Sequence, residues 1–322
     1  MKKQILALSL LLAVSLACNT TPVLNRETTP IDTGINADEW ALVPAGKFYY
    51  GLHSKDSVID YDYEMMVTHV TNHQYVTFLK EALSEGKLEI KSDSVYGFFP
   101  GEPFHGFRHE DEINAGLYLC MPLNVPGNHI SYHNNEFTID PGFENHPVVM
   151  VSWFGAWWYA KFYGYRLPNE AEWTKAARGT DERAYPWGDE IDDKVVNYTH
   201  STKSLRPVLG TEVVRTTPVG LYNGKKYKEL QTRDNSSPYG IYDMAGNAWQ
   251  WVADDYPRLH YKYMRGGSFS NYAHFVTNWA RNSAHPEYCS FNLGFRCIRD
   301  VKAPTNNLVE SDDSLTEDDL NR

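Results

Sequence analysis

Gly240-Ile241-Tyr242-Asp243-Met244-Ala245-Gly246-Asn247-Ala248-Trp249-Gln250-Trp251 is the stretch on which the fold turns, and its two tryptophans read as core. Downstream, Arg265-Gly266-Gly267-Ser268 places two glycines where the backbone must turn closely, and Gly294-Phe295-Arg296 closes the series. Upstream stand Tyr185-Pro186-Trp187-Gly188, Ala176-Ala177-Arg178-Gly179 and Arg166-Leu167-Pro168-Asn169-Glu170-Ala171-Glu172-Trp173. Further back come His146-Pro147-Val148 running to Ser152-Trp153, Val70-Thr71-Asn72-His73-Gln74-Tyr75 and Val43-Pro44-Ala45-Gly46. Glu170 and Glu172 are expected to pair with arginines, Arg178 or Arg296 among them. Alone, any one segment says little; in this order and spacing they are not a chance assembly.

Together these segments resemble the formylglycine-generating enzyme, or sulfatase-modifying factor, family over about residues 41–300. The resemblance implies an α+β, C-type-lectin-like fold, with a small twisted sheet, flanking helices and much irregular structure. It also implies a chemistry. The family's enzymes bind copper on a cysteine pair shortly after the Arg-Gly-Gly-Ser turn, activate oxygen there and oxidise a sulfatase cysteine to formylglycine; soft thiolates suit Cu(I). Here the stretch from Arg265 to Arg281 contains no cysteine, and Asn271 falls where the first would be, so copper is not expected. Cys289 and Cys297 lie too far along to substitute. By the same resemblance Cys297 matches a structural cysteine whose partner position is Ala160, so that disulfide is absent too.

The family's calcium sites carry over only in part. One would use Asn197 and the backbone of Tyr198, with Thr211 and Glu212 near the expected aspartate. The other would use Asp243, the carbonyls of Gly246 and Ala248, and Gln250 in place of a glutamate. Calcium prefers charged oxygens, so these residues read either as a weakened Ca2+ site or as a metal-free turn.

Local patterns fill in the rest. Residues 41–51 have strand–turn–strand character. A helix opens at Thr71 or Asn72, with Tyr75, Phe78, Leu79 and Leu83 on one face and Gly86 past its end. Residues 130–139 read as a hairpin around Asn134-Asn135, and the remainder of 87–145 as an elaborated surface loop. His146 to Trp153 reads as a short buried strand. A helix then runs to Gly164, and another starts with Pro168 in its first turn and ends at Gly179. Beyond residue 180 the chain looks irregular, with short strands.

The ends and the charge bound the setting. Lys2, Lys3 and the apolar run from Ile5 to Val14 read as a signal peptide over residues 1–17. Ala17-Cys18 resembles a lipobox, although its apolar residue stands at Leu16 and not at Ser15; the alternative is plain secretion with Cys18 incidental. Residues 18–38 read as a tether, 39–300 as the domain and 301–322 as an acidic disordered tail. A net charge of -11 repels phosphate backbones and excludes nucleic acid as a partner. No apolar run past Cys18 could span a bilayer, so membrane contact is expected through a lipid anchor alone. The twelve histidines, with His129/His133 and His105/His109 the most suggestive spacings, read as surface residues and not as ligands.

Three functions remain. The first is an envelope-anchored, non-catalytic binding or scaffold protein for a protein or peptide ligand. Its binding face is Phe269 to Ala280 with Ala284 to Asn292, led by Asn271, Tyr272, His274, Phe275, Trp279 and Tyr288 as an aromatic cluster. Phe275 and Trp279 could instead pack the core, as Val276 does. The second is an oxygen-dependent oxidase with a remodelled site, of formylglycine-generating or non-haem iron type. The third is a retroelement-diversified ligand display varying Asn271, Tyr272, His274, Phe275, His285, Tyr288, Ser290 and Phe291, against which the tail after Asp300 counts.

Overall fold

The computed structural model describes residues 27–256 and 259–301. The expected signal peptide, Cys18 and the tail from residue 302 lie outside the described residues. The strand–turn–strand is present as β1 (Trp40–Val43) and β2 (Gly46–Tyr50), but these do not pair with each other. β2 pairs with β3 (Lys55–Ile59), and β1 with β4 (Tyr63–Met66). Thr71 then caps α1 (Asn72–Ser84): its hydroxyl accepts from the Gln74 N–H, and the Gln74 side chain accepts from the Thr71 N–H. That helix turns Tyr75, Phe78, Leu79 and Ala82 into the core.

Residues 87–145 are irregular over much of their length, including 100–115, but contain more than the expected hairpin. They hold an antiparallel sheet of β5 (Leu88–Lys91), β6 (Ser94–Phe99) and β7 (Gly116–Pro122), with Val95, Phe99, Cys120 and Met121 buried. Gly97 disguises the central strand, because a glycine there weakens the strand pattern. It is needed: a Cβ at this position would stand 2.3 Å from Trp158 Nε1. The hairpin of β8 (Ile130–His133) and β9 (Glu136–Ile139) turns on Asn134 and Asn135, both at positive φ (52° and 64°), as a two-residue primed turn requires.

His146 to Trp153 is buried but is not a strand. Its N–H groups go singly to three segments: Val148 to Val70 O, Met150 to Ser290 O and Ser152 to Cys120 O. Ser152 caps α2 (Trp153–Phe162), and Asn169 caps α3 (Glu170–Arg178). Pro168 precedes that cap, outside the first turn where it was expected.

The second half is more regular than its composition suggests. α4 (Thr202–Leu209) forms despite Pro207, and the two-residue β10 (Lys226–Tyr227) and β11 (Leu230–Gln231) pair beyond it. Then comes the principal sheet: β12 (Trp249–Tyr256), β13 (Tyr261–Arg265), β14 (Arg281–Ala284) and β15 (Leu293–Phe295), in the order β14-β13-β12-β15 with β15 parallel to β12. β16 (Ile298–Asp300) returns to pair with β4. Trp251 and Phe295 on this sheet are fully buried with Tyr75, Phe78 and Phe154 of the helices. Residues 27–38, expected as tether, lie on the body: Thr28 and Thr29 N–H bond Pro141 and Leu209 carbonyls, and the buried Thr33 hydroxyl donates to Val219 O.

Candidate functional site

The turn after β13 lies where the resemblance places the copper cysteines. Gly266 and Gly267 hold positive φ (90° and 69°), and a Cβ on Gly267 would stand 2.5 Å from the Phe275 carbonyl oxygen. Ser268 donates from its N–H and its hydroxyl to Asn271 Oδ1, at 3.0 and 2.6 Å. Asn292 Nδ2 reaches the hydroxyls of Ser268 (3.2 Å) and Ser270 (2.9 Å). Asn271, expected on the binding face, therefore spends its amide oxygen pinning this turn.

The thiols that remain are poor copper ligands. Cys120 and Cys297 are buried, Cys289 is half-buried, and all three are free. Burial raises each above the usual thiol range, Cys289 to about 12. Burial thus disfavours the thiolate, the form that binds a soft metal.

Of the other expected contact residues, Tyr272 (59%), Tyr288 (49%) and Phe275 (42%) are exposed, as is His274. Trp279 is half-buried with the Arg178 guanidinium 5.6 Å from its ring, while Val276 is core. His274 and Phe275 are in ring contact (4.0 Å), but among the described residues no ring contact joins all the expected aromatics into one cluster. Tyr272 meets His200 (5.9 Å), and Phe291 meets Phe269 (6.0 Å) under Arg215 (5.0 Å); among the described residues no ring contact joins Tyr288 to either.

Beneath this surface runs a charged frame with partners other than those expected. Glu170 pairs with Arg265 (2.7 Å) and Arg281 (3.1 Å), and Glu172 takes both forks of Arg166 (2.8 and 2.6 Å). Arg178 instead donates to the Gly51 and Glu182 carbonyls. Arg296, fully buried, donates to Gln250 Oε1 (2.7 Å) and to the carbonyls of Met66, Tyr242 and Asp243.

That network bears on calcium. The Asp243 carboxylate accepts from Gly220 N–H (2.7 Å) and Asn235 Nδ2 (3.0 Å). Gln250 Oε1 accepts from Trp173 Nε1 and Arg296, its Nε2 hydrogens point at the Asp243 and Met244 carbonyls, and Ala248 O faces His69 Nε2. Protein hydrogens engage the Asp243 carboxylate, Ala248 O and Gln250 Oε1, three of the groups a calcium ion would use, so the arrangement fits a metal-free turn better than a calcium site. Asn197 turns its Nδ2 to Arg215 O and Asn247 Oδ1, and the Tyr198 carbonyl accepts from Ser201 N–H.

The histidines also differ from expectation. His129 is buried, stacked on Phe143 (3.6 Å) and bonded to Asp140 (3.1 Å), whereas His133 is exposed. His105 is exposed, yet its Nδ1 is 2.9 Å from Glu110 Oε1, and His260 Nε2 is 3.3 Å from the same oxygen. Withdrawal from water raises the Glu110 carboxyl, but the N–H groups of Phe107 and His105 and the His105 ring outweigh this and bring it down to about 2. No spacing in the sequence marks this group, because His260 lies on the far side of the chain from the β6–β7 loop.

The sulfatase-modifying factor enzyme 1-like domain matches residues 26–301, and the chain belongs to that family. The formylglycine-generating enzyme of Streptomyces coelicolor is 32% identical over 267 residues, which cover 76% of this chain and 80% of that enzyme. Serine/threonine-protein kinase pkn1 of Chlamydia caviae is 27% identical over 290 residues, 82% of this chain but 38% of the kinase, so the chain spans little over a third of that relative. The crystal structure of CarF shares the fold at a TM-score of 0.50 and 22% identity, over 82% of this chain and 98% of CarF.

Proposed function

We propose that this chain is a non-catalytic member of its family, anchored in a bacterial envelope and binding a protein or peptide partner. One observation carries the reading. In the turn where the resemblance places the copper cysteines, Ser268 bonds both Asn271 and Asn292, and burial raises the remaining described thiols. Copper-loaded protein given oxygen, reductant and a sulfatase-motif peptide is expected to form no formylglycine by mass spectrometry. Turnover that Cys289→Ser abolishes would overturn the reading.

The exposed rings of Tyr272, Phe275 and Tyr288 supply contact area for the partner, since aromatic anchors commonly dominate binding energy. With Cys18 as lipid anchor, the wild type is expected in the membrane fraction and Cys18→Ala outside it. From that solubilised fraction, Tyr272→Ala with Tyr288→Ala is expected to lose the partner that wild type retains, with an unchanged melting transition. If the double variant holds the same partner equally well, this face is not the binding surface.

A further inference from the structure

The loop between β6 and β7 carries a group that the binding reading does not use. His105 Nδ1, a Glu110 carboxylate oxygen and a His260 ring nitrogen all lie within 4.8 Å of one another. The exposed His105 comes from the loop, while the buried Glu110 and His260 bring that loop against the turn before β13.

The orientation of His260 is the telling detail. Its Nδ1 is 2.6 Å from the Asp111 carbonyl oxygen, which only accepts, so Nδ1 carries the hydrogen. A neutral ring then aims the Nε2 lone pair at Glu110 Oε1, 3.3 Å away, and toward Glu102 Oε2, 4.0 Å away. Acceptors facing acceptors repel unless a cation stands between them. Glu102 adds a second unexplained feature. Lys262 takes its Oε1 at 2.5 Å, but Oε2 is buried with no hydrogen-bond partner. A carbonyl holding the far nitrogen of an imidazole is also the arrangement that fixes metal-binding histidines.

We infer that His105, Glu110 and His260 form a site for one divalent transition-metal ion of the zinc type, with Glu102 as a further oxygen beside it. Two imidazoles and a carboxylate suit such an ion, and metal–ligand bonds of about 2.0–2.2 Å put neighbouring ligand atoms of a tetrahedron about 3.3 Å apart. The observed separations from Glu110 Oε1, 2.9 and 3.3 Å, need only slight adjustment. The exposed His105 gives the ion a way in from solvent. The ion would clip the β6–β7 loop to the principal sheet, independently of the aromatic face.

The alternative is that a proton supplies the cation, making His260 an imidazolium paired with Glu110. The test uses full-length protein stripped with chelator and then titrated with Zn2+ by calorimetry, with Co2+ absorption as an optical readout of coordination. One ion per chain is expected, with visible Co2+ bands of low coordination number and a melting transition that rises with Zn2+. His105→Ala is expected to weaken Zn2+ by at least about 10-fold. Because that side chain is exposed, the metal-free variant should melt like wild type; His260→Ala should weaken Zn2+ at least as much. Absence of saturable binding near neutral pH would overturn the site in favour of the imidazolium. Affinity unchanged in both variants would place any bound zinc elsewhere and overturn it equally.

Discussion

Lowering the pH from about 7 to about 5 is expected to destabilise this fold by up to about 4 kcal/mol through two buried histidines. His69 and His146 are fully enclosed, and burial drives both well below the ordinary imidazole range; the Arg296 guanidinium adds to the effect on His69, and His129 to that on His146. The hydrogen bonds explain why neither accepts a second proton. His69 Nε2 faces the Ala248 carbonyl at 3.0 Å, so its Nδ1 is the lone-pair side, and that side faces Arg296 at 3.4 Å. His146 uses Nδ1 on the Thr216 hydroxyl and has Nε2 buried without a partner.

In the unfolded chain both rings gain a proton as the pH falls through about 6.5, while the native rings stay neutral. The stabilisation is therefore complete above that pH and falls by about 1.4 kcal/mol per pH unit per histidine below it, until the native values are reached. Urea unfolding at the two pH values measures the loss. His69→Gln and His146→Gln should each remove about half of the pH dependence attributed to the pair. If both variants keep the wild-type dependence, the acid sensitivity belongs to other groups.

α1, α2 and α3 were legible from the cap at Thr71 and the glycine stops at Gly164 and Gly179, whereas the caps at Ser152 and Asn169 and the whole of α4, with Pro207 inside it, were not. The Asn134-Asn135 turn was legible, since few residues tolerate positive φ there. The sheet of β5, β6 and β7 was not, because Gly97 interrupts β6 and its aromatic residues stand on both faces, Tyr96 and Phe98 outward and Phe99 inward. His146 to Trp153 has a strand's composition, yet its bonds go to three different segments, which no local pattern encodes. The missing cysteine pair could be read directly, whereas the bonds from Ser268 to Asn271 and to Asn292 depend in part on residues 24 apart. The Glu110 group was out of reach for a plainer reason. Its spacing to His260 reflects tertiary packing, and the nearer pairings, His105/His109 and His129/His133, drew attention to the wrong neighbours.

Arg296→Met is expected to destabilise the protein by about 3–5 kcal/mol, the range typical of removing one side of a buried charge network. The guanidinium is fully buried, and burial lowers it to about 9, partly offset by Asp243. Its donors satisfy Gln250 Oε1 and the carbonyls of Met66, Tyr242 and Asp243, groups drawn from three separate parts of the chain. Methionine fills similar volume but donates nothing, so the four oxygens lose this donor inside the core, where each unmade bond costs about 1–3 kcal/mol, although Gln250 Oε1 keeps Trp173 and the Asp243 carbonyl keeps the Gln250 amide. The calcium reading placed a cation in this region; in the structure the Arg296 guanidinium and the Gln250 amide hydrogens face the Asp243 carbonyl instead. Arg206→Met, on a half-exposed side chain, is the control and should change stability by no more than about 0.5 kcal/mol. The two networks are joined, because Arg296 also holds His69 neutral. Removing the guanidinium should let His69 protonate more readily, so Arg296→Met should flatten the acid dependence while lowering stability at neutral pH. In a double-mutant cycle, His69→Gln and Arg296→Met should then depart from additivity by at least about 0.5 kcal/mol, and strict additivity would show that the two side chains act separately.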